Sequence, residues 1–224
     1  MYEKSEVLHD LPVWETEGNE VVQRFTFFDF EANGVDPSIA EPIEFAGAHF
    51  ENGVMVDSIN FLIYQDIEID PQVVDVTGIT TEEMKREGIP EEEAVRKIHD
   101  FLGTRLIVAH NIGYDLQILN ELYKRHGRKR PIDNHFIDTL TIGRNVDFYP
   151  HRLDKLCERH NVPLTGAHRA LNDVVGGAGL LLHYAKDNII RPYVDKLGYF
   201  GKYAPPAWYP EYATLVKQWN KYNN

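Results

Sequence analysis

Cysteine is almost missing from this chain of 224 residues: Cys157 is the only one, which excludes an internal disulfide and makes a reducing, cytoplasmic setting the expected one. Long apolar runs are missing too. No stretch approaches the roughly 18 apolar residues of a membrane span, so no membrane partner is expected, and Met1-Tyr2-Glu3-Lys4 lacks the basic-then-apolar layout of a secretory signal. Positive charge is scarce, with 23 Lys and Arg against 35 Asp and Glu and a formal net charge of −12. As a total this speaks against nucleic acid, because phosphate-binding surfaces are usually basic. Internal repeats and low-complexity segments are also lacking. What remains, 43% hydrophobic and 26% charged, is an ordinary globular composition long enough to bury a core.

The charge is segregated. Glu3, Glu6, Asp10, Glu15, Glu17 and Glu20 stand against Lys4 in the first twenty residues, and a second acidic cluster runs from Glu82 to Glu93. The one dense basic run is Lys124-Arg125-His126-Gly127-Arg128-Lys129-Arg130, readable either as a solvated helix end or as a phosphate-binding patch.

The apolar run Phe25-Thr26-Phe27-Phe28 ends in Asp29-Phe30-Glu31. On a strand, side chains alternate, so Asp29 and Glu31 share the face of Phe25 and Phe27. Two acids held side by side call either for solvent or for a divalent cation between them, and the pair alone leaves both readings open.

Patterning places further elements along the chain. The Val21 to Glu31 strand is followed by Ile43 to Phe50 and Val54 to Tyr64, which Asn52-Gly53 joins as a tight hairpin. Helical patterns start at Thr80 or Thr81 and at Pro90. Arg105 to Ala109 reads as a strand, Gly113 to His126 as a helix, Phe136 to Ile142 as a strand, and Leu153 to His160 and His168 to Lys186 as helices. An antiparallel meander followed by strand and helix alternation makes a mixed α/β sheet.

Asp115 then falls in the first turn of a helix just past a strand end, as a cap or as a site acid. Asp173 sits in the last helix with Gly176, Gly177 and Gly179 downstream, a glycine density that implies close approach to something. His168 precedes Asp173 by five residues. In one regular helix the two would be about 140° apart, so for both to face one site His168 must lie in the loop or first turn, mobile and exposed as a general base should be.

Phe28-Asp29-Phe30-Glu31, Ala109-His110-Asn111-Ile112-Gly113-Tyr114-Asp115 and His168-Arg169-Ala170-Leu171-Asn172-Asp173 resemble the three motifs of the DnaQ-like, DEDDh 3′-to-5′ exonucleases, the group containing the proofreading subunit of bacterial replicative polymerase. Val76-Thr77-Gly78-Ile79-Thr80, Asp138-Thr139-Leu140 and Leu153-Asp154-Lys155-Leu156-Cys157 lie between them in the family's order. The resemblance spans about Phe25 to Tyr184. A sister subgroup carries tyrosine four residues before the last aspartate; here that position is Arg169, and histidine stands five before.

The resemblance implies a ribonuclease-H-like fold with a mixed five-stranded sheet and helices on both faces. It implies that Asp29, Glu31 and Asp173 ligate one divalent ion, that Asp29 reaches a second supported by Asp115, and that His168 deprotonates the attacking water. Four carboxylates and no thiolate suit two Mg²⁺ or Mn²⁺ ions. Bound, they would cancel the charge of the site acids, so the net charge misleads less than it first did. The implied partner is a nucleic acid with a free 3′ end, DNA favoured over RNA, with a polymerase or other replication protein as a further partner. An exoribonuclease and a catalytically silent binding module are the alternatives. Phe30, Ile79, His110 and Asn111 are candidate substrate contacts, with turn formation the competing role for Asn111 and core packing that for Ile79. Ala32 and Tyr114 depart from the threonine and phenylalanine common there.

Residues 1–20 read as an acidic lead-in, 21–186 as the exonuclease domain and 187–224 as a C-terminal extension. The extension interleaves Tyr193, Tyr199, Phe200, Tyr203, Trp208, Tyr209, Tyr212, Trp219 and Tyr222 with Lys196, Lys202, Lys217 and Lys221. Such a tail stacks bases along a strand, or wraps onto its own domain or a partner.

Overall fold

In the computed structural model, which describes residues 19–127, 132–164, 166, 168–201 and 204–218, the phenylalanine-rich run forms strand β1 (Arg24–Asn33). Most of the acidic lead-in, Arg128-Lys129-Arg130 and, in the tail, Lys202, Tyr203, Trp219, Lys221 and Tyr222 lie outside those residues. β1 pairs antiparallel with β2 (Glu41–Glu51), and β2 with β3 (Val54–Leu62). Asn52 and Gly53 both take the positive φ that a two-residue turn of matching twist requires. Helices α1 (Pro71–Thr77), α2 (Thr81–Glu87) and α3 (Glu91–Leu102) lead to β4 (Leu106–Ala109), parallel to β1. Next come α4 (Ile112–Arg125), β5 (Phe136–Asp138), α5 (Thr139–Val146), α6 (Leu153–His160) and α7 (Ala170–Asp187). The sheet order is β3-β2-β1-β4-β5, the mixed five-stranded α/β arrangement expected.

The alternation along β1 sorts its side chains into two cores. Phe25 and Phe27 join Ile142, Leu156 and the buried residues of α7 on one face; Phe28 and Phe30 join Ile98, Leu116 and Leu119 on the other. α7 approaches the sheet closely. A Cβ at Gly177 would be driven into the Phe27 ring, so only glycine permits this crossing.

Two expectations need correction. Phe136 to Ile142 is not one strand: β5 stops at Asp138, whose carboxylate accepts the N–H groups of Leu140 (3.1 Å) and Thr141 (3.2 Å) and starts α5. The segment after β3 also holds a helix, α1, that the periodicity did not reveal. Asp70 caps it by accepting the Gln72 N–H at 2.8 Å, and Gly78 ends it at φ +73°.

The residues that follow α7 fold back onto the sheet and helices before it. Strands β6 (Lys196–Phe200) and β7 (Thr214–Gln218) form a parallel pair beside α5, where Thr141 Oγ1 accepts the Gly198 N–H at 2.7 Å. Leu197 is buried with Ile112 and Phe136, and Trp208, Tyr209 and Leu215 pack against the same core. No helix among the described residues is long and apolar enough to cross a membrane.

Candidate active site

Asp29 and Glu31 lie in the second half of β1 on the face that α7 crosses, and α7 brings Asp173 to them in its first turn. One carboxylate oxygen from each of the three lies within 4.8 Å of the others. All three side chains are half-buried. Burial, then repulsion from Asp115 and Glu31, holds the Asp29 carboxyl well above the ordinary carboxylate range. Burial and the charges of Asp173 and Glu44 push Glu31 up to about 8, with Arg169 pulling the other way. Asp173 is pushed up to about 6 by burial, against the opposing pull of its bond from His168. Three hard oxygen donors at this spacing, each resisting ionisation for want of positive charge, could hold a divalent cation.

Asp115 stands just behind this trio. It is buried in the first turn of α4, and its Oδ1 accepts the backbone N–H of Phe30 at 3.1 Å, which locks it to β1 between the two acids of that strand. It is close enough to raise the pKa of Asp29 yet lies outside the three-acid group.

His168 sits before α7 rather than in it, in the left-handed region at φ +68°. Its backbone N–H donates to Asp173 Oδ2 at 3.0 Å, so the turn that carries the imidazole is fastened to a site acid. Behind it Asn172 Nδ2 donates to the Gly166 carbonyl at 2.7 Å. The side chain is half-buried, more enclosed than a freely exposed base.

The expected substrate contacts divide. Phe30 is buried among Phe28 and Phe45, and its backbone is what reaches the site. Ile79 is fully buried with Ile43, Leu62 and Met84, so core packing is its role here. Both His110 ring nitrogens are engaged, with Thr139 Oγ1 and the His151 carbonyl, each at 3.0 Å, and burial lowers the pKa of the ring. Asn111 takes a left-handed turn (φ +69°) at the start of α4 with its side chain exposed, its N–H donating to Asp138 Oδ1 at 2.9 Å. The turn role is therefore present. The described part of the basic run is engaged internally: Lys124 pairs with Glu121, Arg125 with Glu41 and Glu91, and His126 with Glu91.

Sequence reasoning missed Glu44. It faces inward from β2, 1% exposed, and accepts the Ala170 N–H at 3.1 Å and the Arg169 guanidinium at 3.1 Å, anchoring the start of α7. A lone acid inside the apolar run from Ile43 to Phe50 was the available signal, since an unpaired buried glutamate is rare.

The exonuclease family RNase_T matches residues 26–179 of the chain. The protein named DNA polymerase III PolC-type of Bacillus subtilis (strain 168) is 30% identical over 167 residues, covering 74% of this chain and 12% of its own length. Its namesake in Halalkalibacterium halodurans is 32% identical over 183 residues, covering 77% and 12%. The chain thus spans about an eighth of these relatives. Among solved structures, E. coli Exonuclease I in complex with a dT13 oligonucleotide superposes with a TM-score of 0.66 at 21% identity, over 76% of this chain and 42% of that one. A zinc-bound form of the same enzyme with single-stranded DNA gives 0.65 at 21%, over 74% and 41%. These two likenesses bear on the fold.

Proposed function

The chain belongs to the exonuclease family RNase_T, as the order of its DnaQ-like motifs implied, and from that membership we propose that it removes nucleotides from the 3′ ends of DNA, releasing nucleoside 5′-monophosphates. The observation that carries this reading is the convergence of Asp29, Glu31 and Asp173 within 4.8 Å, beside a histidine fastened to one of them.

Asp29, Glu31 and Asp173 would hold one divalent ion, and Asp29 with Asp115 a second. Bound there, such ions supply positive charge to the attacking and leaving oxygens of an in-line displacement. The protein's own groups do the rest. His168 takes a proton from the attacking water as its oxygen bonds to phosphorus, and the bond from phosphorus to the 3′ oxygen of the upstream nucleotide breaks. The released nucleotide keeps the 5′-phosphate. Asp173 holds the turn of His168, and Phe30 N–H holds Asp115, so the two groups are placed before substrate arrives. DNA rather than RNA is the reading in keeping with PolC-type relatives. A DNA polymerase is the partner that the name of the same relatives suggests.

The test is a 3′-end ladder assay on single-stranded DNA, a mismatched duplex and RNA, with Mg²⁺, Mn²⁺ or EDTA. Stepwise shortening of DNA with either metal, lost in EDTA and in Asp29→Ala protein, is expected. No shortening, or shortening that survives Asp29→Ala, rejects the reading; faster shortening of RNA reassigns the substrate.

A further inference from the structure

The helix that carries Asp115 is held at its start by a second acid. Asn111 and Ile112 open α4, and their N–H groups both donate to Asp138 Oδ1, at 2.9 and 3.3 Å. Asp138 is buried at the end of β5, and its other oxygen, Oδ2, accepts the Thr141 N–H at 3.2 Å and the Thr141 hydroxyl at 2.5 Å. One carboxylate thus joins the start of α4 to the start of α5.

The chain of bonds continues outward. A hydroxyl has one proton and two lone pairs. Thr141 directs its proton to Asp138, so a lone pair faces away from it, and there the Gly198 N–H of β6 donates at 2.7 Å. Arg144, on the same helix as Thr141, holds Gly198 from its other side: Nη1 donates to the Gly198 carbonyl at 2.8 Å, and the guanidinium lies 4.4 Å above the centre of the Phe200 ring. From β7, Gln218 Nε2 donates to the Thr141 carbonyl at 2.8 Å. A Cβ at Gly198 would overlap Gln218 Oε1 and come within 2.8 Å of Thr141 Oγ1, so the fit leaves no room for a side chain. Packing runs beside these bonds. At Gly113, in the first turn of α4, a Cβ would lie 3.6 Å from the Pro206 ring and 3.9 Å from Leu197. β6 and β7 both lie beyond residue 179, where the family match ends.

We propose, resting on the exonuclease reading, that Thr141 and Asp138 are positioning residues: through them the strands after α7 fix the first turn of α4, and with it the Asp115 carboxylate beside Asp29. Buried hydrogen bonds in a chain strengthen one another, so removing a middle member loosens both ends. Asp115 stands among acids that repel it, and a displacement of about 1 Å in a positioned group lowers a rate about 10²-fold.

Thr141→Val keeps the shape and removes the hydroxyl, whereas Thr141→Ser keeps the hydroxyl. The Phe30 N–H donates to Asp115 Oδ1, so its hydrogen exchange reports the placing of that carboxylate without metal or substrate. In Thr141→Val this amide should exchange about tenfold faster while amides elsewhere in the β1–β2 ladder are unchanged, and Thr141→Ser should match the unmodified protein. In the 3′-end assay with Mn²⁺, Thr141→Val should lose about 10- to 100-fold in kcat with little change in KM, and Thr141→Ser should stay within about threefold. Gly198→Ala, made on the far side of the link, should move both readouts in the same direction as Thr141→Val. If it does not fold, the two Thr141 variants decide. Phe30 exchange that is unchanged in Thr141→Val, exchange that speeds up equally across the ladder, or faster exchange with an unaltered kcat overturns the proposal. If the unmodified protein cleaves nothing, the exonuclease reading falls, and Phe30 exchange by itself decides whether Thr141 holds Asp115.

Discussion

Glu44 and Arg169, 125 residues apart in sequence, meet across the start of α7 at 3.1 Å, and the same carboxylate takes the Ala170 N–H. The bond sits between the strand that carries the site acids and the helix that carries Asp173. Hydrogen bonds to a charged group contribute about 1.5–3 kcal/mol. Glu44→Gln should therefore lower Tm by about 4–8 °C and slow turnover about tenfold, because the start of α7 loses its tether. Thermal unfolding and steady-state kinetics on the same preparation check this; an unchanged kcat would show that α7 is placed without it.

Asp115, Glu31, Asp173 and Glu44 all act on Asp29, whereas Glu31 feels Asp173 and Glu44 and is relieved by Arg169, so replacing Asp29 should cost more. Asp29→Asn should reduce turnover by about 10³-fold or more, Glu31→Gln by less. The same Asp29→Asn change removes like-charge repulsion, so without metal at pH 8 it should raise Tm. Kinetics in Mg²⁺ and melting in EDTA give the two readouts; a metal-free Tm that falls would contradict the crowding of charge at Asp29.

Raised carboxyl pKa values have a definite sign in stability. Glu31 at about 8 and Asp173 at about 6 bind protons in the folded chain that the unfolded chain, near 4.5 and 3.8, has already released. Folded protein then holds more protons, so metal-free stability should decline as pH rises from about 3.8, where Asp173 begins to contribute, to about 8, where Glu31 ceases to. A divalent ion replaces those protons and should restore more at pH 8 than at pH 5. At 100 times its Kd the gain is about 2.7 kcal/mol, or about 5–10 °C. Melting curves with EDTA and with Mn²⁺ at both pH values test it; a metal shift larger at pH 5 would be the wrong sign.

His168 carries two separable demands, a left-handed backbone and an imidazole. Asparagine tolerates that backbone better than alanine does. His168→Asn should keep Tm within about 1 °C while His168→Ala loses more, and both should slow turnover by about 10²–10⁴-fold. Loss of activity in the alanine variant alone would mean the residue matters only for the turn.

Gly177→Ala should destabilise by about 1–3 kcal/mol, since its methyl meets the Phe27 ring. Pairing it with Phe27→Leu should recover part of the loss. Additive losses in the double variant, measured by denaturant unfolding, would place the strain elsewhere.

Much of this was written locally. The alternation around Asp29 gave the face that α7 crosses, and Asn52-Gly53 gave the hairpin. The spacing of His168 from Asp173 required the loop position that the structure shows. Other features depend on competition between signals: Thr139 to Ile142 is apolar and β-branched enough to extend a strand, yet the capping carboxylate of Asp138 decides for helix. Helix α1 has a clear start at Asp70-Pro71 and stop at Gly78, but only seven residues between, too short for a period to stand out. The role of Glu44 and the placing of Phe200 over Arg144 depend on partners far away in the chain, which no local pattern records.

The tether between Asp195 and Phe136 has a meaning beyond catalysis. Asp195 N–H donates to the Phe136 carbonyl at 2.8 Å, and Asp195 Oδ1 accepts the Phe136 N–H at 3.0 Å, just where β5 would otherwise present its outer backbone. An uncovered outer strand invites pairing with a neighbouring molecule. By closing those groups the extension hems the sheet, so that the fold ends at this side instead of offering a template for a second chain.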